Sequence, residues 1–351
     1  MKNSDASVKG KRVSFFELAK YLIFLAFGLF LFWWLYRGHN LAEIETSLKE
    51  FNYNWIALYL FIALLSHVLR AMRWRMLLQS IAFKPGLLNT VFSILIMYLA
   101  NFAVPRIGEI VRCGVIRKYE GIPVSEQLGT VVVERLIDLL LLSLLLVVVF
   151  IFQGDVLGSL FNTGGSSSLE AVTDILNNGM LYIVLAIVLL LSVILFLLHR
   201  KKKGVFLKGR LITLWQKFIV GIGAIRKLKN PAGFYLLSVL IYFGYFLMTF
   251  VVFKAYEPTE NLNMLVGLSV FVMGSVGMVV PVQGGIGTYH YFVIQTLLIY
   301  GIDESGSQVF ALVIHGSMTL FMILSGLVAL LLLPIVNRRN DKSLRPNSQS
   351  V

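Results

Sequence analysis

Arg70, Arg73 and Trp74 close one long apolar run of this chain, and Glu134, Arg135 and Asp138 open another. At helical spacing Arg70 shares a face with His67, Arg73 and Trp74, while Glu134 and Asp138, four apart, share a second face within reach of Arg135. A guanidinium fork holds phosphate or carboxylate through paired N–H bonds, so the first group suits an anionic headgroup. Two carboxylates close together at low dielectric suit proton uptake by one of them; the other reading is a salt-bridge cluster that fixes helix packing. Between the two groups lie Asn101, Pro105, Arg106, Gly108, Glu109 and Arg112, which would add a basic pocket edged with acid. Farther along, Pro281, Gly284, Gly285 and Gly287 form a second Pro/Gly cluster, where missing side chains allow close backbone approach.

Other chemistries find little support. The single cysteine, Cys113, excludes disulfides within the chain, and five scattered histidines have no metal-ligand spacing. No nucleotide-binding motif is present, and nothing points to nucleic acid; the expectation is no metal, no cofactor and no catalytic residue.

These residues must be positioned by membrane helices. Of 351 residues 58% are hydrophobic and only 14% charged, against ~25% charged in a soluble domain, which excludes a soluble enzyme. A helix needs ~20 apolar residues to cross a ~30 Å core, and residues 19 to 36, 55 to 75, 126 to 152, 179 to 199, 233 to 253 and 308 to 334 qualify as full spans. The first ends in Phe32, Trp33, Trp34 and Tyr36 without a small-residue cleavage site, so it reads as a retained span rather than a signal peptide. Residues 87 to 104 and 262 to 280 run into the Pro/Gly clusters instead. The segment after each break is too charged or too short to cross, which predicts two re-entrant hairpins, about eight membrane segments in all.

Charge supports one orientation. With both termini cytoplasmic, the inner segments carry about +21 and the outer ones about −7, leaving about −1 inside the spans out of a net +13. The order is span, span, hairpin, span, then the same inverted, giving halves at 19–152 and 179–334. An outer loop, 153–178, and a basic amphipathic connector, 200–232, separate them, and a basic disordered tail, 335–351, ends the chain. Paired Pro/Gly interruptions in inverted halves point to a transporter-type site near the midplane.

The motifs Arg70-x-x-Arg73-Trp74, Asn101 with Pro105-Arg106-x-Gly108-Glu109-x-x-Arg112, Glu134-Arg135-x-x-Asp138 and Pro281-x-x-Gly284-Gly285-x-Gly287 together resemble the membrane region of lysylphosphatidylglycerol synthases and the wider flippase-like family. The resemblance covers nearly the whole chain. It implies an all-α polytopic protein of a bacterial cytoplasmic membrane that moves an anionic phospholipid or polyprenyl-phosphate lipid between leaflets, with a lipid-modifying enzyme as a possible partner. Ending near residue 351, the chain is expected to lack the soluble aminoacyl-transferring domain. It departs from the family where Thr288, Tyr289 and His290 follow Gly287 in place of an acidic residue. The other functional classes are a membrane-embedded transferase acting on a lipid-linked sugar or headgroup, with Glu134 or Asp138 as base, and a non-catalytic scaffold. Oligomeric state is left open.

Overall fold

The computed structural model describes residues 48–161 and 223–343, with isolated positions between 26 and 37. The span expected at 179–199, nearly all of that at 19–36 and the connector up to residue 222 therefore lie outside the described residues.

All regular structure among the described residues is helical. In chain order the α-helices are α1 (Tyr53–Ser80), α2 (Leu87–Ala103), α3 (Gly108–Glu120), α4 (Val124–Phe161), α5 (Pro231–Phe253), the single turn α6 (Glu257–Glu260), α7 (Met264–Val279), α8 (Thr288–Ile299) and α9 (Glu304–Ser343). Their starts come from local sequence. Asn52, Asn230 and Asn263 each turn a side-chain oxygen onto a backbone N–H of the first turn of α1, α5 and α7, and Pro231 occupies the first position of α5, where no amide hydrogen is needed. Helix α3 ends on Gly121 at φ 71°, a left-handed stop that glycine adopts without penalty.

Tyr53–Ser80, Val124–Gln153, Pro231–Phe253 and Glu304–Arg338 are long and apolar enough to cross a membrane, and they coincide with four of the expected spans. Leu136, Leu139, Leu140, Leu144 and Ile151 are exposed along α4. Such a continuous apolar face is incompatible with water and suits lipid tails. The chain is accordingly a multi-pass membrane protein.

The two broken segments fold as helix pairs, α2 against α3 and α7 against α8. Helix α1 packs on α5, α2 on α9, and α4 touches α1, α3, α7 and α8. One apolar core lies between α1, α5, α7, α8 and α9 around Tyr59, Phe253 and Phe310. A second joins the end of α1 to α3, α4 and the start of α5 around Trp74, Ile116 and Phe234. The charged residues of α1 and α4 lie among these packed elements.

Two boundaries differ from those expected. Gln153 (φ −137°, ψ 15°) interrupts α4, but helix resumes to Phe161, so the loop does not begin at 153. The last span does not give way to a tail at 335 either, because α9 continues through Pro334 to Ser343. The physical reason is Asn337, which is buried and exchanges two amide hydrogen bonds with Asn89 of α2, at 2.8 and 3.0 Å. This pair pins the helix beyond the proline, whose lost backbone bond a packed membrane helix tolerates.

Candidate functional site

The site grows from two facing helix stretches. On α1, His67, Arg70, Arg73 and Trp74 are all buried. Opposite, α4 presents Glu134, which is fully buried, and one turn farther on Asp138, whose side chain is 16% exposed. Glu134 Oε1 accepts from Arg70 Nε at 2.9 Å, Arg135 Nη2 at 3.1 Å and Arg73 Nη2 at 3.3 Å, and its Oε2 accepts from Arg112 Nη2 at 2.7 Å. Asp138 accepts from Arg73 Nη2 at 2.6 Å and from Arg70 Nη2 at 2.9 Å, with Arg135 Nη2 at 3.3 Å. Four guanidinium groups thus converge on two carboxylates, a local excess of two positive charges.

Burying this many charges is expensive, and it holds only because nearly every group is matched. Arg112, carried in by α3, lies 4.4 Å above the ring of Trp74, whose indole N–H donates to Thr130 Oγ1 at 3.0 Å. The ring face supplies negative potential to a cation that has left water. Arg70 Nη1 donates to the hydroxyls of Tyr98 and Tyr245 at 3.1 and 3.3 Å, and Arg73 Nη1 reaches Ser238 Oγ at 3.4 Å. Donors still exceed acceptors: among the described residues Arg112 Nε and Nη1 and Arg73 Nε are buried without a hydrogen-bond partner.

Tyr245 also belongs to the wall of a cavity of about 210 Å³ bounded by α1, α5, α7, α8 and α9. Met248, Met278, Met318, Met322, Phe271 and Ile314 make half of that wall, with Tyr59, Thr249, Ser275, Tyr289 and His315 as further polar points. Methionine walls adapt to irregular apolar shapes.

The expected site residues therefore divide. Arg70, Arg73, Trp74, Arg112, Glu134, Arg135 and Asp138 are brought together. Asn101, Arg106 and Glu109 are not part of the cluster. Asn101 Oδ1 caps α3 by accepting from Gly108 N at 2.8 Å. Arg106, in the exposed turn with Pro105, donates to the carbonyl of Val279 at 3.0 Å. Glu109 stands in the first turn of α3, one carboxylate oxygen buried without a hydrogen-bond partner among the described residues. Gly108 has no room for a side chain, since a Cβ would run into the carbonyl of Met97.

The second Pro/Gly cluster makes a turn after Pro281 in which Gly284, Gly285 and Gly287 take φ of 58°, 74° and 82°. Gly284 faces Phe102 of the first pair, so this glycine makes room for protein. Its carbonyl accepts from His315 Nε2 at 2.7 Å, and the ring of His290 lies 4.6 Å from that of His315.

Of the two readings of the carboxylate pair, the geometry matches the salt-bridge cluster, in which both acids serve as acceptors for arginine. Sequence reasoning missed Tyr98, Tyr245 and Ser238. The only signal for them is a hydroxyl on an otherwise apolar helix, which does not say which way the side chain faces. His67 is a further buried group, its ring 4.6 Å from Tyr98 and both nitrogens without a hydrogen-bond partner among the described residues.

Such an arginine–carboxylate cluster inside a bundle of apolar helices defines a polytopic membrane protein built around a buried, positively charged site. The chain matches the lysylphosphatidylglycerol synthase TM region over residues 19–326, and it belongs to that family of lipid-related membrane proteins. No curated protein and no solved structure matches it.

Proposed function

We propose that the protein is a lipid translocase that moves an anionic phospholipid or a polyprenyl-phosphate lipid between leaflets. The observation that carries this reading is the double engagement of Arg70, which is held by Glu134 and Asp138 and at the same time bonds Tyr245, a wall residue of the apolar cavity. A phosphate receptor and an apolar chamber are then joined by one hydrogen bond, which is what an amphiphile with a charged head requires. Arg70, Arg73, Arg112 and Arg135 bind the phosphate; Glu134 and Asp138 balance their charge.

In this reading the pairs α2–α3 and α7–α8 are re-entrant hairpins entering from opposite faces, the first from the cytoplasm, and they belong to inverted halves of the chain. The positive-inside distribution of charge and the matching Pro/Gly interruptions support that arrangement. Arg106 and the three glycines then act at the hairpin tips, where irregular backbone is sheltered by protein.

The test is a leaflet-resolved assay in proteoliposomes containing labelled phosphatidylglycerol, a polyprenyl phosphate and phosphatidylcholine. The two anionic lipids are expected to cross faster than in protein-free vesicles, the zwitterionic one not, and Arg70→Gln is expected to erase the difference. Equal movement of all three lipids by wild type and variant would overturn the reading.

A further inference from the structure

We propose that Asp138 is the exchangeable counter-ion of the site: it holds the guanidinium forks until a lipid phosphate takes its place, then returns as the lipid leaves, while Glu134 stays fixed. The proposal deepens the reading of the cluster as a phosphate receptor and rests on it.

The two carboxylates are not equivalent. Glu134 is fully buried, and its two oxygens meet Arg70, Arg73, Arg112 and Arg135. Removing it leaves Arg112 without its one carboxylate contact among the described residues. Asp138 lies one turn along α4, is 16% exposed, and receives Arg70, Arg73 and Arg135. Each of those three arginines keeps Glu134 when Asp138 turns away, so its departure orphans no cation. Arg135, 41% exposed, forms with Asp138 the accessible rim.

The movement required is a side-chain rotation. The backbone at 138 is fixed from outside its own helix, because Tyr242 donates its hydroxyl to the Asp138 carbonyl at 2.6 Å. Asp138 withdrawn, the site carries three net positive charges, against the one negative charge of a phosphodiester or up to two of a phosphomonoester. The unpartnered N–H groups of Arg73 and Arg112 show that the cluster already offers more donors than two carboxylates use. A permanent site of that charge would hold a phosphate too tightly to release it. Transport needs binding favourable enough to load and weak enough to unload, and a returning internal carboxylate supplies the second half.

Asp138→Asn and Asp138→Glu in the full chain, reconstituted in nanodiscs and proteoliposomes, test this. The probes are phosphatidylglycerol and a polyprenyl phosphate, with phosphatidylcholine as control. Asp138→Asn is expected to bind the anionic probes about tenfold tighter, the scale of one released charged hydrogen bond, and to lower both the apparent KM and the maximal rate. Asp138→Glu is expected to restore the rate. If Asp138→Asn binds no tighter while wild type binds and moves the anionic probes, the proposal is overturned and the phosphate-receptor reading stands. If wild type neither binds nor moves them, that reading has failed first. Unfolding of Asp138→Asn in detergent that leaves wild type folded would assign Asp138 the same structural duty as Glu134, and also overturns the proposal.

Discussion

Arg106, in the turn between α2 and α3, donates a hydrogen bond of 3.0 Å to the carbonyl of Val279 at the end of α7, joining the two interrupted helix pairs tip to tip. Phe102 against Gly284 makes a second contact across the same junction. Arg106 sits there at φ 63°, a left-handed conformation costing a residue with a side chain about 1–2 kcal/mol. This residue contributes both a strained backbone and a bridging bond, and the two contributions can be separated. Arg106→Ala keeps the strain and loses the bond, whereas Arg106→Gly loses both. The glycine variant is therefore expected to be about 1 kcal/mol more stable than the alanine variant, as read by thermal unfolding in detergent. Equal stability would mean that the left-handed backbone carries no cost.

Gly284 makes the opposite case from the other side of the junction. Its φ of 58° and the Phe102 ring both exclude a Cβ. Gly284→Ala is expected to destabilise by about 1–3 kcal/mol, and Phe102→Ala in the same chain should recover the steric part but not the backbone part. A double variant no more stable than Gly284→Ala alone would show that the ring can move aside.

Glu134→Gln removes charge from the carboxylate that meets four guanidinium groups. Breaking a buried ion cluster from one side leaves uncompensated charge, a loss of about 3–5 kcal/mol. The variant is expected to melt far below wild type, whereas Arg135→Gln, at the partly exposed rim, is expected to lose no more than about 1 kcal/mol of stability. Similar losses for both would mean that depth does not set the value of these contacts.

How much of this was legible in the sequence depended on whether local rules or packing decided the outcome. Arg70, Arg73, Glu134 and Asp138 could be grouped because charges in apolar runs are costly enough to demand partners, and helical spacing says which ones share a face. The same logic grouped Arg106 and Glu109 with them, whereas the turn between Ala103 and the start of α3 sends Arg106 toward Val279. Asn101 looked like a ligand residue and is a helix cap, a role readable only once the start of α3 is known. Asn89 and Asn337 are 248 residues apart, and no local pattern joins them. Tyr245, the link between cluster and cavity, was hidden in the same way.

The Asn89–Asn337 pair should behave as a coupled unit. Asn89→Ala and Asn337→Ala, alone and together, form a double-mutant cycle whose interaction energy is expected near ~0.6 kcal/mol and below about 1.7, the range for side-chain hydrogen bonds between membrane helices. Zero coupling in thermal unfolding would leave the extension of α9 past Pro334 to backbone propensity and apolar packing alone.

Filling the cavity separates its proposed role in transport from its role in packing. Met318 lines it, whereas Leu324, farther along the same helix, is exposed on the apolar surface. Met318→Trp occupies part of the roughly 210 Å³ with a rigid ring, while Leu324→Trp adds the same ring to the outside. If the chamber receives the apolar part of the transported lipid, Met318→Trp slows anionic lipid movement by roughly tenfold, equivalent to ~1.4 kcal/mol, without lowering the melting temperature, and Leu324→Trp leaves the rate unchanged. Unimpaired transport with the chamber filled would place the lipid's path elsewhere and leave the cavity a packing defect.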